Sequence, residues 1–166
     1  MDVRREPPLN DLIATAVEGD RRSLSRLITK VENDHEVAKQ VVKRVFRQTG
    51  QASILGVTGP PGSGKSTLIS ALTKELSSVR KKVAIVAIDP SSAFTGGALL
   101  GDRIRMKDLT ENPNVFIRSM ATRGSVGGLC RAATDVARIL DAASWNYVIV
   151  ETAGAGQTDL DIAQLA

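Results

Sequence analysis

The stretch Gly59-Pro60-Pro61-Gly62-Ser63-Gly64-Lys65-Ser66 constrains this chain more than any other. It fits G-x-x-x-x-G-K-[ST] at every defined position, the spacing of a phosphate-binding loop. Before it, Ser53-Ile54-Leu55-Gly56-Val57-Thr58 reads as a buried strand. After it, Thr67 to Ser77 reads as a helix with Leu68, Leu72 and Leu76 on one side. A strand, a glycine loop and a helix form the setting in which such a pattern carries meaning. Gly62 and Gly64 let the backbone approach a phosphate with no Cβ in the way. Successive N–H groups then form an anion nest at the positive end of the helix. Lys65 can reach the β- and γ-phosphates as a point charge, and the Ser66 hydroxyl can ligate Mg²⁺. Pro60 and Pro61 stiffen the loop and lower the cost of ordering it. Gly59 through Ser66, with Thr67 behind them, are the candidate nucleotide-binding residues.

Around this loop the pattern alternates strand and helix, which predicts a parallel α/β sheet. Strands are expected at about 53–58, 83–88, 115–118 and 146–150, and helices at about 65–78, 99–110 and 128–143. Upstream, Leu9, Leu12, Ile13, Ala16 and Val17 recur at helical spacing. Leu24, Leu27, Ile28 and Val31 form a second stripe, and Val37, Val41, Val42, Val45 and Phe46 a third. Gly19, Asp20 and Asp34 punctuate the three helices as caps. Thr49-Gly50-Gln51 is the expected boundary, dividing a helical segment, 1–50, from a nucleotide domain, 51–166. The helical segment reads as a layer packed on that domain, with a partner-binding surface as the alternative. His35 lies among charges near a helix start and is read as solvated, with no role. Trp145 and Tyr147 flank the last strand, as core packing explains.

Composition excludes several classes. The 166 residues carry a net charge of +4, with Lys and Arg interspersed among Asp and Glu, and 3 % are aromatic. No basic block is longer than Arg80-Lys81-Lys82 and stacking platforms are scarce, so no nucleic-acid partner is indicated. The single cysteine, Cys130, rules out an internal disulfide and fits a reducing compartment. No apolar leader is visible at the N-terminus, and the longest clean apolar run, Val83 to Ile88, is too short to span a bilayer. A cytoplasmic protein with no membrane partner is expected.

Ligands of open α/β sheets sit at the carboxyl ends of the strands. The second strand ends there in Asp89-Pro90-Ser91-Ser92 and the fourth in Glu151-Thr152-Ala153-Gly154-Ala155-Gly156-Gln157. An apolar strand ending in a carboxylate, then a glycine loop, suits a magnesium-side acid and a γ-phosphate sensor. Glu151 can serve directly or through a water, Gly154 can offer its N–H to the γ-phosphate, and Gln157 can orient an attacking water. Asp89 reads either as a second magnesium-side acid or as the opening of an ordinary turn. Asp102 reads either as a third such acid or as a helix-face charge. Lys65, Asp89, Glu151 and Gln157 are the candidate catalytic residues; Ser66, Asp89, Asp102 and Glu151 are the candidate metal ligands. A glycine-rich loop is expected from Arg118 to Gly128, with Arg123 read as solvated.

Taken together, the phosphate loop, Asp89-Pro90-Ser91-Ser92, Gly96-Gly97-Ala98-Leu99-Leu100-Gly101-Asp102-Arg103-Ile104-Arg105-Met106 and Glu151 to Gln157 resemble the MeaB/ArgK/MMAA family of SIMIBI-class G proteins. The resemblance covers about residues 9–166. It implies a P-loop NTPase fold, a mostly parallel sheet flanked by helices and preceded by a short helical segment. It also implies GTP and GDP as ligands, Mg²⁺ as cofactor, and Asp89, Asp102 and Glu151 as magnesium-side carboxylates of two switch regions. The implied activity is GTP hydrolysis coupled to chaperoning a cobalamin-dependent acyl-CoA mutase of the methylmalonyl-CoA mutase type. The implied full-length protein is a homodimer. Ala153 and Ala155 stand where the family usually has Val. No [NT]-K-x-D signature for guanine is found before Ala166, so the chain is expected to be a fragment with an incomplete sheet and poor solubility on its own. A P-loop kinase or ATPase, as in the family's older transport-system label, and a module that holds nucleotide without hydrolysis are the competing readings.

Overall fold

A computed structural model describes residues 7–89, 107–121 and 126–152. Three helices come first: α1 Leu9–Val17, α2 Arg21–Asn33 and α3 His35–Val45, followed by a 3-10 turn at Phe46–Gln48. Then come β1 Ser53–Val57, α4 Lys65–Ser78, β2 Val83–Asp89, α5 Lys107–Thr110, β3 Val115–Ala121, α6 Val126–Ala142 and β4 Tyr147–Thr152. The strands form a parallel sheet in the order β1-β4-β2-β3. The expected alternation and the α/β class are present. β3 and β4 run on to Ala121 and Thr152, beyond the expected ends. The expected helix at 99–110 lies partly outside the described residues; Lys107–Thr110 is helical.

Local chemistry sets the helix ends. Gly19, at φ +101°, closes α1, with its N–H on the Ala16 carbonyl and that of Asp20 on Thr15. The Asp20 carboxylate then caps α2 by accepting from Ser23 N–H at 2.7 Å. Hydrogen bonds from Ser23, its side chain first and its N–H second, hold the Asp20 carboxyl below its ordinary value. Asp34 caps α3 by accepting from Glu36 and Val37 N–H at 2.9 and 3.1 Å. Each such cap is worth about 1 kcal/mol.

The sheet is packed on both faces, as parallel sheets are. Alternation along β2 sends Val83 and Ile85 toward Ile69 of α4 and Leu109 of α5. It sends Ala84, Val86 and Ile88 toward α6 and the N-terminal helices. Leu12, Leu24, Leu27, Ile28 and Val41 belong to that second cluster, so the helical segment and the sheet share one continuous core. The Phe116 and Trp145 rings meet there at 5.7 Å. At about 1.5–3 kcal/mol for each large apolar side chain buried, this shared face holds the segment firmly against the sheet. The packed-layer reading of residues 9–48 therefore describes the molecule.

Polar ties reinforce the joint. Arg21 donates to the carbonyls of Asn112 and Val115, and Arg118 of β3 pairs with Glu32 of α2. Asp141, 6 % exposed near the end of α6, accepts from the N–H groups of Gly50, Gln51 and Ala52. It pins the link between α3 and β1.

Three expectations are corrected. Arg118 lies inside β3, not at the start of a loop, because its side chain faces Glu32 on α2. His35 is exposed but not merely solvated: its Nε2 lies 2.8 Å from Nη1 of Arg131 on α6. On α4, Ile69 and Thr73 take the buried stripe, Leu72 and Leu76 are partly buried, and Leu68 is 61 % exposed. Packing onto the sheet centres on the row i, i+4 through Ile69, which turns Leu68 outward.

Candidate functional site

The site is built at the carboxyl ends of β1 and β4. β1 delivers the chain into the loop at Thr58, and α4 begins at Lys65. Gly64 is the residue before α4, in the left-handed region at φ +90°, and no side chain caps the helix. The first amides of α4 are therefore free of side-chain caps at the positive end of a helix of 14 residues. Gly59 has φ +145°, and a Cβ there would stand 3.3 Å from Ser63 Oγ. Any side chain at 59 would be strained and would crowd the loop. The Ser63 N–H returns to the Pro60 carbonyl at 3.3 Å and closes the turn.

Lys65 Nζ donates to the carbonyls of Gly59 at 2.6 Å and Pro60 at 3.0 Å. The ammonium is thus held against the loop that it follows in sequence. Ser66 Oγ donates to Glu151 Oε1 at 2.8 Å. The register explains this contact: Glu151 lies level with Val57, one residue before the loop begins at Thr58, and level with Ala87 on its other side. Glu151 is 8 % exposed, so the sheet head holds an acid that is largely withdrawn from water. A hydroxyl and a carboxylate oxygen converging beside an ammonium and a run of helix amides form an oxygen-donor set of the kind that suits Mg²⁺ and phosphate.

The structure brings Lys65, Ser66 and Glu151 together. Asp89 is the last residue of β2, in register with Ala121 at the same end of the sheet. Thr67 lies in the first turn of α4 and is exposed. Asp102, Gly154, Gln157 and Arg123 lie outside the described residues. Asp141 was not singled out in the sequence. Its signal was available, a carboxylate four residues after Ala137 on the apolar face of α6. No described helix is long and apolar enough to cross a membrane.

A parallel sheet whose first strand feeds a glycine loop and an uncapped helix, with an acid on the adjacent strand, defines a nucleotide-binding domain of the P-loop class. Comparison with known proteins narrows this further. The family model described as "Methylmalonyl Co-A mutase-associated GTPase MeaB" matches residues 24–166. The chain belongs to that family. A Pyrococcus horikoshii protein named as a GTPase is 52 % identical over 159 residues, covering 96 % of this chain and 50 % of its own length. The Escherichia coli "GTPase ArgK" is 37 % identical over 164 residues, with coverage of 96 % and 50 %. A solved structure titled "Crystal structure of LAO/AO transport system kinase" superposes with a TM-score of 0.75 at 31 % identity, covering 94 % of this chain and 46 % of that one. The chain spans about half the length of the curated relatives it matches.

Proposed function

We propose that this chain is the nucleotide-binding part of a magnesium-dependent GTPase that serves a cobalamin-dependent acyl-CoA mutase. The observation that carries the reading is the 2.8 Å contact between Ser66 Oγ and Glu151 Oε1 beside the phosphate loop. The amides of Gly62 to Ser66 bind the phosphate chain, and Lys65 leaves its two loop carbonyls to neutralise the β- and γ-oxygens. Mg²⁺ would be held by Ser66, with Glu151 bound directly or through a water, and would neutralise charge on the phosphates. Asp89 and Asp102 are the further magnesium-side acids of this reading. Gly154 meets the γ-phosphate and Gln157 orients water. The description of the family model supports the mutase as partner. In this reading the whole protein is a cytoplasmic homodimer that gates cofactor loading and protects the mutase.

Lys65→Ala tests the loop. Triphosphate affinity should fall by a factor of about 100 or more, about 3 kcal/mol. In the parent, released phosphate should come from GTP in preference to ATP and rise when the mutase is added. Transfer of labelled γ-phosphate to an acceptor, or equal use of ATP, would overturn the reading in favour of a kinase or a general ATPase.

A further inference from the structure

The amino ends of the strands lie opposite the phosphate loop, and apolar and cationic side chains gather there. Asn146, just before β4, ties the strand starts together. Its carbonyl accepts from Ser53 N–H of β1, and its N–H donates to the Lys82 carbonyl ahead of β2. Its Oδ1 accepts from Lys82 N–H at 2.8 Å. The segments leading into β1 and β2 are thereby brought to one end of the sheet. The first carries Phe46 and Arg47, the second Val79, Arg80, Lys81 and Lys82. Phe46 and Val79 are 61 % and 65 % exposed, two of the three exposed large apolar side chains among the described residues. All four cations are exposed as well.

Both segments are fixed by hydrogen bonds. The Phe46 carbonyl accepts from Thr49 N–H at 3.3 Å and from Thr49 Oγ1 at 2.8 Å, and Asp141 holds the three amides that follow. Val45 fills the core beside Phe46, which turns outward. At the end of α4, Lys81 N–H reaches the Leu76 carbonyl and Arg80 N–H the Ser77 carbonyl, a Schellman turn. Arg80 stands at its left-handed position, φ +60°, where glycine is the usual residue. A cation kept on a backbone that favours glycine points to a use for its side chain.

The acids at this end do not neutralise the cations. Asp141 is taken by backbone amides, and Glu75 and Glu111 are exposed. Among the described residues, no ion pair joins an acid to Arg47, Arg80, Lys81 or Lys82. From Val37 to Lys74 the sequence contains no Asp or Glu at all.

We propose that this end of the sheet docks an acidic segment of a partner protein. Its carboxylates meet Arg47 and the Arg80-Lys81-Lys82 turn, and its apolar side chains cover Phe46 and Val79. An exposed aromatic beside an arginine has the composition of an interface anchor, and unpaired cations steer carboxylates toward it. Side chains set at fixed places by hydrogen-bonded turns suit a shaped protein segment, whereas a fluid bilayer surface demands no fixed spacing. The inference is independent of the nucleotide site.

The test is fluorescence anisotropy of a labelled peptide, two leucines set among glutamates, titrated with the 166-residue chain. Binding should saturate, weaken as salt is raised, and persist when GTP is added. Lys81→Glu combined with Lys82→Glu should weaken it at least about tenfold, and Phe46→Ser severalfold. Arg80→Gly separates docking from folding. It relieves the left-handed backbone, so the urea midpoint should not fall, while the peptide should bind severalfold more weakly. Several results would each overturn the proposal: no saturable binding, equal binding of a peptide with glutamine for glutamate, or displacement by GTP. So would any of these variants binding as tightly as the parent, or sedimentation with phosphatidylglycerol vesicles in place of peptide binding.

Discussion

Two largely buried carboxylates stand near opposite ends of the sheet, and they are not alike. Asp141, 6 % exposed, receives three successive backbone N–H groups from the link that leads into β1. Glu151, 8 % exposed, receives the Ser66 hydroxyl at the carboxyl end of β4, beside the β1 end that leads into the phosphate loop. Burial is nearly equal, so burial does not separate the two acids. Their donors do. Backbone amides fix a carboxylate in place, and nothing is gained by exchanging them. A serine hydroxyl can turn away and let both oxygens face a metal ion. One end of the sheet is tied by backbone amides, and at the other a side-chain hydroxyl meets the acid.

The largest effect that probes this contrast is on stability. Asp141→Ala should lower the unfolding free energy by about 3 kcal/mol, about 1 kcal/mol for each orphaned amide. Glu151→Gln keeps an oxygen for Ser66 and should stay within about 1 kcal/mol of the parent. Urea denaturation reads both, and equal losses would erase the distinction.

A smaller change sharpens it. The Thr73 hydroxyl on α4 is buried with no hydrogen-bond partner. Thr73→Val keeps the shape and should raise stability by about 1 kcal/mol in the same experiment. A loss of stability would mean that the hydroxyl has a use.

The smallest effect is on pH dependence, and it has two signs. Asp20 is held low by its Ser23 hydrogen bonds, so its contribution is full above the ordinary carboxylate value and is lost as pH falls through the depressed folded value. Asp135 is raised by burial despite Arg138, Arg131 and His35 nearby. It therefore costs stability as pH rises from the ordinary value through the raised folded one. Stability curves of Asp20→Asn and Asp135→Asn against the parent should differ in opposite directions, by less than about 1 kcal/mol each.

Much of this architecture was legible in the sequence. The loop, the parallel strands and the three N-terminal helices follow from short-range signals: glycine spacing, apolar runs, caps and helical period. What escaped depended on partners distant in sequence. Arg118 reads as a loop residue until Glu32, 86 positions away, is placed opposite it. Asp141 was passed over because its partners, the amides of residues 50–52, lie about 90 positions away. The α4 stripe was misread because three evenly spaced leucines outweigh Ile69 in sequence, whereas the sheet selects the row with Ile69 at its centre. At the site, Lys65, Ser66 and Glu151 were named from the motif and the strand end. The side-chain pairing of Ser66 with Glu151 required the β1–β4 register.

The central claim is that Ser66 and Glu151 make the phosphate loop a magnesium-dependent site. Equilibrium binding of a fluorescent GTP analogue, with Mg²⁺ or with excess chelator, tests it most directly. In the parent, Mg²⁺ should tighten the triphosphate by about tenfold or more, and in Glu151→Gln that gain should shrink several-fold while chelator-bound affinity stays the same. Affinity indifferent to Mg²⁺ in the parent, or a gain left intact in Glu151→Gln, would contradict the account.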